Sequence, residues 1–189
     1  MSLSDSEIVD SVRGGKKHDY ARLVERYEDK AFTLCVRILK NREDAEEAAQ
    51  DAFVRAYNAL GKFEGTAKFG TWFYRIVYNV CLTRLGKRRD EFQSTEYVDG
   101  EVHDDVLTPG GSLERDIETK DMVQFVKRIV EILPEKYSAI LTLYYLHELS
   151  HEEICEVTRL PLGTVKVRLF RARALLQKRF TSDISLETV

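Results

Sequence analysis

The chain is expected to be all-α, with two small helical domains joined by a flexible acidic linker, the second a helix-turn-helix. Three observations lead there. Gly (10) and Pro (3) are scarce in 189 residues, and a sandwich or barrel needs more turns than that. Apolar residues recur at helical spacing in long segments near both ends, and no strand pairs or internal repeats stand out. Charge is partitioned: net +3 over residues 1–90, −8 over 91–122 and +2 over 123–189. An acidic middle between two mildly basic ends has the pattern of a linker.

The elements follow in order. Ser4 and its neighbours offer N-caps ahead of Ile8, Val9 and Val12, and Gly14-Gly15 stops that helix. Over residues 19–40, Leu23, Val24, Tyr27, Ala31, Leu34, Ile38 and Leu39 keep helical spacing until Asn41. The next helix, about 43–60, sets Ala45, Ala48, Ala49, Ala52, Phe53, Ala56 and Leu60 on one side. Glu47, Gln50, Asp51 and Asn58 lie opposite, and Gly61 ends it. A loop over 62–69 leads to a helix from about 70 to 88. Residues 91–115 show no periodicity and hold Thr108-Pro109-Gly110-Gly111 among many acids, which predicts the linker. Helices are then expected over about 116–132, from Pro134 to about 147, from the capping box Ser150-His-Glu-Glu153 to about Thr158, and from 161 to about 180. The domains are thus 1–90 and 116–189, with 91–115 between them.

The last two helices, with Pro161 and Gly163 in the turn, have the helix-turn-helix layout. Val165, Leu169, Ala172 and Leu176 form a stripe that seats the final helix on a core. Seven basic residues and no acids fall between Val157 and Ser182. DNA needs that bias, because neutralising phosphates supplies much of the binding energy. Lys166, Val167, Phe170 and Arg171 stand early in the helix, where side chains reach base edges. An Arg there can bind guanine through two hydrogen bonds.

In the first half, Phe63, Phe69, Trp72, Phe73, Tyr74 and Tyr78 are interleaved with Lys62, Lys68, Arg75 and Arg84, and Asn79 adds an amide. One helix has one apolar face, so some of these rings are expected near the surface. Exposed rings beside cations suit single-stranded nucleic acid. For Trp72, Phe73 and Ile76, a place in the core is an equal expectation.

Three segments then resemble a known family, the extracytoplasmic-function sigma factors of bacterial RNA polymerase. Asp44-Ala-Glu-Glu-Ala-Ala-Gln50-Asp-Ala-Phe53-Val-Arg-Ala-Tyr57 resembles sigma region 2.2. Phe63-Glu-Gly-Thr-Ala-Lys-Phe69-Gly-Thr-Trp72-Phe-Tyr-Arg75-Ile-Val-Tyr-Asn79 resembles regions 2.3 and 2.4. Leu133-Pro-Glu-Lys-Tyr137, Leu149-Ser-His-Glu-Glu-Ile154 and Leu160 through Arg173 resemble region 4. The resemblance implies that Asp44, Glu47, Gln50 and Asp51 meet the beta-prime subunit of core RNA polymerase. Phe63, Lys68, Trp72, Arg75 and Asn79 would bind and open the minus-10 promoter element, Phe63 and Asn79 helping to hold a flipped base. Thr164, Lys166, Val167, Arg168, Phe170, Arg171 and Arg173 would read the minus-35 element. The linker would thread through the polymerase towards the RNA exit channel, the beta subunit would be a further partner, and an anti-sigma factor, often membrane-bound, would hold the protein inactive. Val167 departs from the small hydroxyl residue of many members, Ser138 from Arg and Cys155 from a small residue. Tyr78 and Cys81 fall in the minus-10 helix, so the promoter sequence is not named from these residues.

Other classes fit less well. His147-Glu-Leu-Ser-His151 matches the HExxH zinc pattern, but Ser150 as an N-cap puts a helix boundary inside it, so the imidazoles would diverge. A helix-turn-helix regulator with a receiver domain would show strands and an acidic pocket. No glycine-rich phosphate loop occurs, and Cys35, Cys81 and Cys155 lack disulfide or zinc spacing, so they are expected to be buried and reduced. His18 and His103 are expected at the surface. No cofactor, metal, catalytic residue or small-molecule substrate is expected. The polar acidic start and the lack of a long apolar run predict no membrane insertion and a cytoplasmic location.

Overall fold

In a computed structural model, which describes residues 3–93 and 133–186 (side-chain surroundings for 3–86 and 133–176), helix α1 (Asp5–Arg13) opens on a capping box. The Ser4 hydroxyl accepts from the Glu7 amide, and the Ser4 amide donates to the Glu7 carboxylate at 2.7 Å. Such a cap stabilises a helix by about 1 kcal/mol. Gly15, at φ 101°, turns the chain where a side chain would be strained. A single 3₁₀ turn leads into α2 (Tyr20–Leu39), which buries Leu23, Tyr27, Ala31, Leu34, Cys35, Ile38 and Leu39 on one face.

Lys40 ends α2 in the left-handed region at φ 55°, and Asn41 caps α3 (Arg42–Ala59) by accepting from the Asp44 amide at 2.9 Å. The buried face of α3 is Ala45, Ala48, Ala49, Ala52 and Ala56. Small side chains let its backbone come close to α2 and α4, against which it packs. A 3₁₀ turn at Leu60–Lys62 and a short loop lead to α4 (Phe69–Gln93). Gly70 leaves room for Tyr27 at that start, since a Cβ there would stand 3.1 Å from the Tyr27 hydroxyl oxygen and the ring would have to give by a few tenths of an ångström.

Phe73 is the centre of the first core. It is fully buried, with the rings of Phe53, Tyr27 and Phe69 at 4.7, 5.7 and 5.9 Å. Full burial of such a ring contributes about 3 kcal/mol.

The second half begins at α5 (Glu135–Leu141). Pro134 is its N-cap, one position before the place expected for it. The expected continuous helix to 147 instead loosens into a π turn over Thr142–Leu146, closed by the His147 amide donating to the Thr142 carbonyl at 3.0 Å. Glu148 then takes φ 57°. Helix α6 (His151–Thr158) starts on the expected capping box, with Ser150 and Glu153 satisfying each other's backbone. Arg159 ends it at φ 58°, and α7 (Leu162–Leu186) follows.

Both long basic helices outrun their expected ends, α4 reaching Gln93 and α7 reaching Leu186. The first residues of the expected linker are therefore helical. The linker beyond Gln93, His103 and the helix expected at 116–132 lie outside the described residues. Among the described residues there is no strand, and no helix is long and apolar enough to cross a membrane. The two halves meet, α6 packing on α4 and α5 on α2.

Candidate nucleic-acid interface

The first face is built on α4 and the loop before it. Trp72, Arg75 and Asn79 recur at i, i+3 and i+7, and Lys68 stands one turn ahead, so all four share one stripe. Lys68, Arg75 and Asn79 are exposed, and Trp72 is half-buried. Phe63 is buried at 7% exposure, its ring 5.0 Å from Trp72 and 6.0 Å from Phe69. Behind it, Arg13 donates through Nε to the Leu60 carbonyl at 3.1 Å and through Nη2 to the Phe63 carbonyl.

The expectation of several surface rings needs correction. Phe63, Phe69, Phe73, Tyr74 and Tyr78 are all buried, and Trp72 is half-buried. One helix cannot bury so many alone. Here α2 and α3 take one side of α4, and the second half takes another. Phe73 is core, as one of its two expectations held, whereas Trp72 and Ile76 are intermediate.

The second face is on α7. Val165, Leu169, Ala172 and Leu176 are all buried, which is the expected seating stripe. Lys166 is exposed and Val167 is 48% exposed, while Thr164, Arg168, Phe170 and Arg171 are half-buried. Thr164, Val167, Arg168 and Arg171 line an open concavity of about 560 Å³ with Tyr137 and Pro161. Arg173 has an internal role. Its guanidinium lies 5.3 Å from the Tyr144 ring and 5.6 Å from the Tyr145 ring, and Nε donates to the Tyr145 hydroxyl at 2.8 Å. These contacts clamp α7 to the π turn.

The third surface is the outer face of α3. Glu47 and Gln50 are exposed. Glu47 pairs with Arg84 of α4 at 3.0 Å, and Asp51 pairs with Arg55 at 3.0 Å. Asp44 is half-buried at the capped end. Val54, 59% exposed and one turn beyond Gln50, lies on the same face. Sequence reading passed over Val54, although an apolar residue among polar ones on an outer face was a usable signal. It also passed over Arg13, and over the distant partners of Arg84 and Glu153, which are Glu47 and Lys68.

Titration is perturbed where the halves meet. Burial, helped by the nearby Lys30 charge, pushes the His147 imidazole down to about 3, and its ring stacks on Tyr74 at 4.5 Å. Burial pushes the Glu153 carboxyl up, but the Ser150 amide, Lys68 and Thr71 outweigh it and leave it below the ordinary range. His151 stacks on Tyr144 instead, so the two histidines of the HExxH string stand against different rings across the expected helix boundary. Among the described residues no group of three His, Cys, Asp or Glu side chains is placed to hold a metal.

Comparisons with known proteins show what the chain and its fold resemble. The model for Sigma-70 region 2 matches residues 23–91, and that for Sigma-70 region 4 matches 126–176. The chain is 33% identical over 187 residues to the ECF RNA polymerase sigma factor SigW of Bacillus subtilis, covering 95% of this chain and 98% of that one. It is 35% identical to the RNA polymerase sigma-H factor of Pseudomonas aeruginosa, covering 92% of each. It is 32% identical to the ECF sigma-E factor of Escherichia coli, covering 94% of each. Its fold resembles CnrH, solved with the cytosolic domain of CnrY, at a TM-score of 0.63 and 19% identity, covering 95% of this chain and 98% of that one. It also resembles RpoE of Bartonella quintana, solved with the anti-sigma factor NepR, at 0.64 and 18%, covering 87% and 98%.

Proposed function

The chain belongs to the extracytoplasmic-function sigma factors of bacterial RNA polymerase, and from that premise we propose which of its residues recognise the promoter. Residues 1–90 act as region 2 and 116–189 as region 4, with 91–115 as the linker between them. Phe63, Lys68, Trp72, Arg75 and Asn79 bind and open the minus-10 element. Thr164, Lys166, Val167, Arg168, Phe170 and Arg171 read the minus-35 element, and Arg173 supports them from behind. Asp44, Glu47, Gln50 and Asp51 dock on the beta-prime subunit of the core polymerase, whose beta subunit is a further partner, and the linker runs towards the RNA exit channel.

One observation carries this reading. A single chain presents two separate cationic faces of different character. The α4 face sets Lys68, Arg75 and Asn79 beside Trp72, which suits unpaired bases. The α7 face follows a capped helix and turn and sets exposed Lys166 and Val167 where a recognition helix meets duplex DNA.

As a sigma factor the protein acts by binding, and the polymerase performs the chemistry. It works in the cytoplasm without a cofactor and is held inactive by an anti-sigma factor. That one structure of similar fold, RpoE of Bartonella quintana, was solved in complex with an anti-sigma factor supports that last point.

The test is promoter-dependent transcription. The chain is added to core RNA polymerase and a genomic DNA library, and transcript 5′ ends are sequenced. Discrete starts sharing upstream motifs are expected, and are expected to vanish in a Lys166→Ala/Arg171→Ala double variant. No initiation from folded protein with active core would overturn the reading.

A further inference from the structure

On the α7 face, one side chain differs in kind from those around it. Val167, in the second turn of α7, is 48% exposed. Thr164, Arg168 and Arg171 stand three before, one after and four after it, all half-buried, and Lys166 next to it is exposed. Spacings of three and four bring side chains to one face of a helix. Thr164, Val167, Arg168 and Arg171 open onto the concavity of about 560 Å³, whose other walls include Tyr137 and Pro161. Behind them, Val165, Leu169 and Ala172 are held in the core, so packing fixes where Val167 stands. A lone exposed valine is ordinary. This one sits within a cationic face, in a stretch with no acid from Val157 through Ser182, and so meets whatever those cations hold.

We propose that Val167 selects thymine at one position of the minus-35 element, by contact with the C5 methyl group in the major groove. This deepens, and rests on, the assignment of α7 to that element. Valine neither donates nor accepts a hydrogen bond, so it can favour only an apolar base edge. Among the four bases, thymine alone presents a methyl group there. Guanine, adenine and cytosine present polar groups, which valine would strip of water without pairing, and that loss works against them. A β-branched side chain in a helix keeps almost wholly to one rotamer. The two methyls of Val167 are therefore in place before DNA arrives, and little freedom is lost on contact. The cations around it supply the attraction to phosphate that brings the groove to this face. They position the helix, and Val167 adds a sequence preference.

Thymine and uracil differ only by this methyl group and pair alike with adenine, so deoxyuridine tests the contact. Core RNA polymerase is loaded with the full chain and given a promoter found by mapping transcript 5′ ends. Each minus-35 thymine, on either strand, is replaced in turn by deoxyuridine, and affinity is measured by competition with the unmodified promoter. At one thymine the wild type is expected to lose about fourfold, the scale of one buried carbon. Val167→Ala removes both γ-methyls from an exposed helical position where alanine is favourable, and it is expected to erase that loss. Lys166→Ala takes away a cation and leaves the valine, so it is expected to bind more weakly and to keep the loss. No thymine at which the methyl group matters overturns the proposal, as does a methyl effect undiminished in Val167→Ala. An effect that disappears equally in Lys166→Ala also overturns it, because it would then report docking of the whole helix. In each of these cases the wild type still binds its promoter specifically. Absence of specific binding by the wild type is a different result, which would remove the minus-35 reading and the proposal with it.

Discussion

Arg13, the last residue of α1, donates to the carbonyl oxygen of Phe63, fifty positions further along the chain. The same guanidinium also reaches the Leu60 carbonyl. One side chain therefore fixes the turn from which Phe63 enters its cluster of rings. Arg13→Ala is expected to cost about 1–2 kcal/mol in urea unfolding, the scale of hydrogen bonds to a charged group. It should reduce promoter melting, read by permanganate reactivity, more than duplex binding at the minus-35 element. Equal losses in both would show that Arg13 serves only the fold.

The three thiols should behave differently. Cys35 and Cys81 are buried with their sulfurs 3.5 Å apart, and their contact together with burial pushes the Cys81 thiol up. Thiolate is the reactive form, so both should be inert while the domain is folded. Cys155 is half-buried on α6. Ellman's reagent is expected to titrate one thiol quickly in native protein and all three in urea. Fast reaction of more than one thiol in the native chain would show that the α2–α4 core opens readily.

The helices were legible because their signals are local. Ser4 caps α1 as one of the candidates offered, Ser150 caps with the predicted Glu153, and Val165, Leu169, Ala172 and Leu176 seat α7 as their spacing required. Positions 68, 72, 75 and 79 fall on one stripe by helical geometry alone. What was not legible depends on partners far away in sequence. Pattern could not show that Tyr74 lies under His147, so it could not tell which rings of the cluster are buried. It could not show that Arg173 is spent on Tyr144 and Tyr145, because a basic residue beside a DNA-reading helix looks the same whether it faces phosphate or a tyrosine. The π turn over Thr142–Leu146 likewise has no periodic signature in five residues.

His147 gives the fold a pH dependence of defined sign. Its imidazole is held down to about 3, against an ordinary 6.5. Asp5, Tyr27, Lys30, Lys68, Tyr74, Glu148 and Glu153 line the same cleft. A depressed histidine keeps its full contribution above about 6.5 and loses it as the pH falls, because the unfolded chain takes a proton that the folded one refuses. At 1.36 kcal/mol per unit, the loss reaches about 2 kcal/mol at pH 5. Glu153, held below its ordinary range, acts in the same direction. His147→Phe keeps a ring on Tyr74 and removes this titration. Urea unfolding of both chains at pH 7 and pH 5 should show the wild type losing about 2 kcal/mol more than the variant. Parallel losses would rule out His147 as the source.

The outer face of α3 offers a sharper test of polymerase docking than its acidity alone. Glu47 is exposed yet pairs with Arg84 from the neighbouring helix, so docking through Glu47 means replacing that arginine with a cation of the partner. An exposed pair contributes at most about 1 kcal/mol, so Arg84→Ala should leave the fold almost unchanged. It should also free Glu47, and core affinity should hold or rise. Glu47→Arg places two like charges together and opposes a basic partner, so affinity measured by anisotropy with labelled chain should fall at least tenfold, about 1.4 kcal/mol. Val54→Asp, on the same face, should also weaken binding if the contact has an apolar centre. If Arg84→Ala weakened binding as much as Glu47→Arg, the arginine itself would belong to the docking surface, and the face would have to be redrawn to include the outer side of α4.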